Sequence, residues 1–183
     1  VCPGIDEYLP VSEGQISPAS CAEGFSGYAY RECHDGVLGD VKTDKCVYKS
    51  PSDLVYDVTT IVFVLGVEGT SGKPTFNNII TEFFLEDGVT LPAGLTLDAQ
   101  TGEISGIPTA LLASTPFTIH GKNPRAAAFA EIAITVRKGY CQPEGVFERT
   151  DVGETAVYQC SKQGGYVGTQ KRACVLGEKD GVW

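Results

Sequence analysis

Histidine occurs only twice in these 183 residues, at His34 and His120, and no two cysteines form a C-x-x-C pair. A zinc site needs His and Cys ligands clustered at short spacing, so none is expected. Basic residues are in the minority, 14 Lys and Arg against 23 Asp and Glu, for a formal net charge of -9. Phosphate backbones are bound by clustered cations that displace counterions, which excludes nucleic acid as a partner class. Long apolar runs are also missing. The longest, Ile61 to Val67, has the length of a strand and falls well short of the roughly 20 residues that cross a bilayer as a helix. The pairs Gly24 with Gly27 and Gly165 with Gly168 lack the strand-to-helix context and following Lys-Ser/Thr of a phosphate loop, and read as turn glycines. No N-x-S/T sequon occurs, because Asn77 and Asn78 lack the hydroxyl residue and Asn123 precedes Pro124. The chain opens on Val1-Cys2, so an initiator methionine and a signal peptide are expected upstream in a longer precursor.

Cysteine is present in quantity, and its distribution carries the organisation. Cys2, Cys21, Cys33 and Cys46 form one cluster; Cys141, Cys160 and Cys174 form a second with nearly the same spacing. Gly24-Phe25-Ser26-Gly27 followed by Arg31-Glu32-Cys33 reappears as Gly165-Tyr166-Val167-Gly168 followed by Arg172-Ala173-Cys174, and Gly36-Val37-Leu38 reappears as Gly181-Val182-Trp183. An eighth cysteine is therefore expected just beyond Trp183. The pattern predicts three modules, at 1–49, 50–138 and 139–183, the last apparently truncated. End modules of roughly 45 residues are too small for a core to suffice alone, so cross-links and an oxidising, extracellular or cell-surface location are expected. Four cysteines permit three connectivities.

Between the clusters no cysteine occurs from Ser50 to Arg137, and apolar residues alternate between Gly and Pro breaks. Thr59, Ile61, Phe63, Leu65 and Val67 share one strand face by period two, as do Ile132, Ile134 and Val136. Thr75 to Leu85 and Phe117 to His120 are further strand candidates, rich in β-branched and aromatic residues. Ala126 to Ala130 has helical composition but feeds into Glu131-Ile132-Ala133-Ile134, which favours a strand. Five or more short strands predict an all-β sandwich. Within it, Leu95 and Leu97 point inward, Asp98 to Gly102 turn the chain, and Ile104 resumes the inward pattern before Gly106 and Pro108 end it.

This stretch, Leu91-Pro92-Ala93-Gly94-Leu95 and then Leu97-Asp98-Ala99-Gln100-Thr101-Gly102-Glu103-Ile104-Ser105-Gly106-Ile107-Pro108, resembles an immunoglobulin-like family related to cadherin and dystroglycan sandwiches. The resemblance covers Leu54 to Val136, with Ile107 where Thr is usual. The flanking cysteine clusters resemble shortened sushi, or complement control protein, modules, with Leu38 in place of the usual Trp in the first copy. That second resemblance implies pairs Cys2 with Cys33, Cys21 with Cys46 and Cys141 with Cys174, leaving Cys160 unpaired through truncation. Closing a loop of about thirty residues stabilises such a module by roughly 3–4 kcal/mol in the chain-entropy model.

No catalytic residues are expected. Neither histidine stands near a recognisable nucleophile motif, and Glu82, Glu86, Asp87, Asp98 and Glu103 sit at turns and solvent-facing strand positions. Cadherin-related sandwiches often bind calcium at domain junctions, but Val47 to Asp53 and Val136 to Tyr140 offer one carboxylate and several basic residues where six to eight oxygens are needed, so no cofactor is expected. Linkers that are short and not Gly/Ser-rich predict a semi-rigid rod, with a repeat from Cys2 to Cys141. The expected function is a non-enzymatic structural or adhesive segment of a modular extracellular protein, a repeat unit able to assemble into a surface filament or coat. Its partners would be copies of itself or other cell-surface proteins, met through sandwich edges and through Tyr28, Tyr30, Tyr140 and Tyr166. The alternatives are a glycan- or ligand-binding ectodomain and an accessory module of a secreted hydrolase.

Overall fold

The computed structural model describes residues 1–183 and is all-β, with one 3-10 turn at Cys160–Gln163. The strands are β1 (Ile16–Ser20), β2 (Phe25–His34), β3 (Val37–Leu38), β4 (Cys46–Tyr48), β5 (Ser52–Val55), β6 (Thr60–Val64), β7 (Gly69–Thr70), β8 (Thr75–Asn77) and β9 (Glu82–Leu85). They continue as β10 (Leu95–Leu97), β11 (Ile104–Gly106), β12 (Leu112–Lys122), β13 (Ala127–Arg137), β14 (Tyr140–Cys141), β15 (Thr150–Asp151), β16 (Thr155–Gln159), β17 (Thr169–Ala173), β18 (Val175–Leu176) and β19 (Gly181–Val182). No helix is long and apolar enough to cross a membrane. The chain divides into two compact units. One comprises Val1–Leu54, Thr75–Glu82 and Gly121–Ala128; the other comprises Val55–Pro74, Phe83–His120 and Phe129–Trp183.

In the first unit, β1, β2 and β3 form an antiparallel sheet, and β4 joins the far end of β2. The bonds Cys2–Cys33 and Cys21–Cys46 staple it. Cys2, Cys33, Tyr8 and Leu38 form an apolar cluster in this segment, with Val11 and Ala19 against it. So few buried side chains, each contributing about 2 kcal/mol, make the covalent links necessary. The β4 strand lies close on β2: a Cβ at Gly27 would strike the Lys45 carbonyl, and Gly27 has φ +100. Glycine is required there by both sterics and backbone conformation.

The second unit holds most of the sandwich. One sheet runs in the order β6-β13-β12-β9, with β6 parallel to β13, and the other in the order β10-β11-β7. Alternation buries Ile61 and Phe63 from β6, Ile132, Ile134 and Val136 from β13, Phe117 and Ile119 from β12 and Phe83 from β9. Leu95 and Ile104 enter from the facing sheet. Ala127 to Ala130 is strand, as the period argument predicts. Two strand readings need correction. The alternation from Thr59 to Val67 ends as strand at Val64, where the Val67 N–H bonds back to the Val64 carbonyl and turns the chain. Thr75 to Leu85 is split into β8 and β9, because Asn78 adopts φ +67 and donates its side-chain amide to the Ser50 carbonyl.

The hairpin β10–β11 explains its own glycines. Leu95 pairs with Gly106, so the backbones of Gly94 and Gly106 pass within contact distance. A Cβ at Gly94 would strike the Ile107 carbonyl, and one at Gly106 would strike the Gly94 carbonyl. Asp98 Oδ1 accepts from the N–H groups of Gln100 and Thr101, 2.8 and 3.2 Å away, closing the turn. These two bonds hold its carboxyl below the usual carboxylate range. The hydroxyl of buried Tyr56 donates to the Gly102 carbonyl, and burial drives its pKa up.

The C-terminal segment, also in the second unit, is held by Cys141–Cys174. Its strands form separate two-stranded ladders, β14–β15, β16–β17 and β18–β19. Cys160 carries a free thiol.

Candidate interaction surface

Residues of the four-stranded sheet that alternate away from the core form a partly aromatic face. The His120 ring stacks on Phe84 with centroids 5.2 Å apart and planes 17° from parallel, and it lies 6.3 Å from the Phe129 ring. Phe129 itself is 68% exposed, and Val62 of β6 is 52% exposed. Glu86 Oε1 stands 3.3 Å from His120 Nε2 at the rim. The strand period dictates the arrangement, since side chains two apart share a face and the inward places are taken by Ile119, Ile132 and Phe83. A large exposed aromatic on a strand face is a candidate contact residue.

The other titratable groups expected at turns are dispersed among separate partners. Glu82 pairs with Lys122 at 3.5 Å, Glu103 accepts from the Thr70 hydroxyl, and Asp98 is taken up by its own turn. His34 lies 3.5 Å from Glu32, whose carboxyl is drawn down chiefly by Lys42 at 3.2 Å. These groups do not converge on a common point from which proton transfer could be organised.

Two polar clamps sit beside the ends of β4 and β13. In the first unit, buried Asn123 donates through Nδ2 to the carbonyls of Lys49 and Ile79, both at 2.8 Å, while Oδ1 accepts from the N–H groups of Arg125 and Ala126. In the second unit, Arg137 at the end of β13 meets Asp180 with Nη2 2.7 Å from Oδ2. Asp180 Oδ1 also accepts from the N–H groups of Tyr140 and Gly181. Arg137 is the main cause that pulls the Asp180 carboxyl down to about 2, with those backbone bonds adding to it. Asp180 is thereby committed to an arginine and two backbone donors. In β5, Asp53 is bonded by the Asn77 amide.

The four tyrosines separate by environment. Tyr28 and Tyr30 lie 6.0 Å apart on β2. Tyr140 is covered by the guanidinium groups of Arg137 and Arg149, 4.7 and 3.8 Å from its ring centroid, so its ring face is already used. Tyr166 is 65% exposed. Sequence reasoning singled out neither Phe129 nor the Arg137–Asp180 clamp. Phe129 was visible as an aromatic at an outward position of a predicted strand; Asp180 carried no signal, because its partner lies 43 residues away.

A family model described as Putative Ig domain matches residues 46–137. No curated protein matches the chain in sequence. Among solved structures, a putative alpha-galactosidase from Bacteroides fragilis is similar at 20% identity and TM-score 0.40, over 51% of this chain and 19% of that one. Human protocadherin-24 EC1-2 is similar at 12% identity and TM-score 0.40, over 61% of this chain and 66% of that one. A Dscam structure is similar at 10% identity and TM-score 0.37, over 96% of this chain and 52% of that one. The chain thus spans about a fifth of the galactosidase, and likenesses at this level say nothing of activity or partner.

Proposed function

The chain belongs to the Putative Ig domain family, and from that premise we propose that it is a non-enzymatic, structural and adhesive segment of a modular extracellular protein. An immunoglobulin-like sandwich bounded by disulfide-bonded segments is consistent with a structural or adhesion module. The observation that carries the adhesive reading is the aromatic face of Phe84, His120 and Phe129, which offers a solvent-accessible anchor on a rigid sheet. The division at 1–49, 50–138 and 139–183, with sushi-like end modules and a repeat that runs from Cys2 to Cys141, is part of the proposal. Its support is the internal sequence repeat and the change from cysteine-rich to cysteine-free sequence along the chain. Short linkers that are not Gly/Ser-rich favour a semi-rigid rod, the form from which a filament or coat is built.

A second reading, direct recognition of a glycan, is favoured by the stacked Phe84 and His120 rings beside Glu86, an aromatic platform with a polar rim. One experiment separates the two. Beads coated with the protein are expected to cluster, and Phe129→Ser is expected to cut clustering by about tenfold, an interface hot-spot loss near 1.4 kcal/mol. Dispersed beads that bind defined glycans on an array would replace adhesion with glycan recognition.

A further inference from the structure

Strand β6 closes one end of the four-stranded sheet, and its outer edge is unpaired. The Thr59 carbonyl accepts from the Ala133 N–H, and the Leu65 N–H donates to the Arg137 carbonyl, so the odd-numbered residues along β6 turn their backbone groups towards β13. These groups alternate in side along a strand. Thr60 and Val62 therefore turn their N–H and C=O groups to the open edge, where no other strand pairs with them. Open edges are commonly blunted by charge, proline or shortness. The opposite end of this sheet, β9, begins at Glu82 and is followed by Glu86 and Asp87, all exposed. In the other sheets, β1 carries Pro18 and β10 spans only 3 residues. The β6 edge has none of these guards. Val58 to Val67 contains no charged residue and no proline, although the chain as a whole carries a net charge of -9, and both Val58 and Val62 are exposed.

We propose that the open edge of β6 is a self-association site, at which a second copy of this chain adds its own β6 antiparallel about a twofold axis. With Val62 on the axis, each Val62 faces its counterpart and Thr60 faces Val64 of the other copy. This register sets the outward backbone groups of the two strands opposite one another, with Val62 bonding reciprocally, and lays the two Val62 side chains side by side on one face. Charge decides the occupant. Two copies that each carry -9 repel, and they approach with least opposition along a neutral strand, whereas self-pairing through β9 would bring glutamates together. The strand is its own complement, as an isologous contact requires. The inference deepens the adhesive reading, on which it rests for a partner of the same kind, and adds an edge contact to the aromatic face. Pairing continues the sheet from one copy into the next, so both copies present Phe129 on the same side and any contact made there becomes bivalent.

The test uses the full 183-residue chain. Sedimentation velocity from about 10 μM to about 1 mM is expected to show monomer converting to a dimer that dissociates on dilution, the range that suits a small edge interface. Val62→Lys opposes two lysines on the axis and is expected to weaken the dimer by about tenfold or more. Val62→Pro removes an N–H that points away from β13, so it is expected to abolish the dimer while the far-UV circular dichroism of the monomer is retained. Val62→Lys, made on an exposed side chain, keeps the test decisive if proline perturbs the strand. In amide exchange read residue by residue, Thr60 and Val62 should gain protection as concentration rises, while Ile61 and Phe63, which face β13, stay protected throughout. A chain that remains monomeric up to about 1 mM, or a dimer that Val62→Lys leaves intact, would overturn the proposal. Coated beads separate this failure from that of the adhesive reading. Monomeric protein whose beads still cluster through Phe129 removes the edge contact and keeps the adhesive face; a dimer sensitive to Val62→Lys whose beads stay dispersed does the reverse.

Discussion

At the scale of single residues, the hallmark hairpin is governed by contact between two stretches of backbone. Gly94 at φ +92 lies so near the Ile107 carbonyl that a methyl group has no room, and the neighbouring Leu95 N–H and Thr109 N–H bond to the Pro92 and Ala93 carbonyls. Relief by strand separation would expose Ile104 and Leu95, which are 0% and 6% accessible. Gly94→Ala is therefore expected to destabilise the sandwich by about 2–4 kcal/mol, combining a disfavoured backbone conformation with a clash. Alanine at Gly72, which has φ +71 but open space around it, should cost only about 1 kcal/mol. Urea unfolding followed by fluorescence compares the two directly; equal midpoints would show that φ, and not the approach of Ile107, sets the requirement. The hairpin was legible in the sequence because each of its demands is local: a side-chain cap from Asp98 and glycines within a dozen positions of one another.

At the scale of elements, the end of β13 is tied to the β18–β19 hairpin by one carboxylate. Asp180 has a folded-state pKa of about 2, below the roughly 3.9 of an unfolded aspartate. The sign follows from linkage: stability from this group is complete above the unfolded value and is lost as pH falls towards the folded one. Loosening of this junction is expected between about pH 4 and pH 2. Asp180 and Arg137 are each about a third exposed, so solvent screening reduces the contribution to about 1 kcal/mol. Asp180→Asn should remove that share of the acid transition and raise amide exchange at Tyr140 and Gly181 already at neutral pH. An acid profile unchanged by the substitution would place the sensitivity in another carboxylate. This tie was not legible beforehand. A strand announces itself by alternation over a handful of residues, as Ile132, Ile134 and Val136 do, whereas a pair separated by 43 positions leaves no periodic trace. The same holds for Asn123, two of whose four bonds reach back to Lys49 and Ile79. Where sequence periodicity misled, at Leu65 and Val67, a turn closed by Val64 overrode a continuing apolar pattern.

For the whole molecule, the balance between covalent and apolar stabilisation changes along the chain. The first 49 residues bury a cluster of Cys2, Cys33, Tyr8 and Leu38, two of which are the bridge itself. The cysteine-free stretch buries Ile61, Phe63, Phe83, Ile104, Phe117, Ile119, Ile132, Ile134 and Val136. At about 2 kcal/mol per buried side chain, the sandwich has ample apolar stabilisation without cross-links, and the ends do not. The bridges Cys2–Cys33 and Cys141–Cys174 close separations of 31 and 33 residues, each worth roughly 3–4 kcal/mol, comparable to the entire margin of so small a segment. Reduction at neutral pH is accordingly expected to unfold locally. Amides of β1 to β4 and of β14 to β19 should exchange within seconds to minutes of thiol addition, while those of β6, β12 and β13 keep their protection. Hydrogen exchange with mass detection, before and after reduction, reads this segment by segment. Loss of protection in β13 at the same rate as in β2 would mean that the sandwich depends on the bridges after all, and that burial of Ile119 and Ile134 is insufficient to hold it.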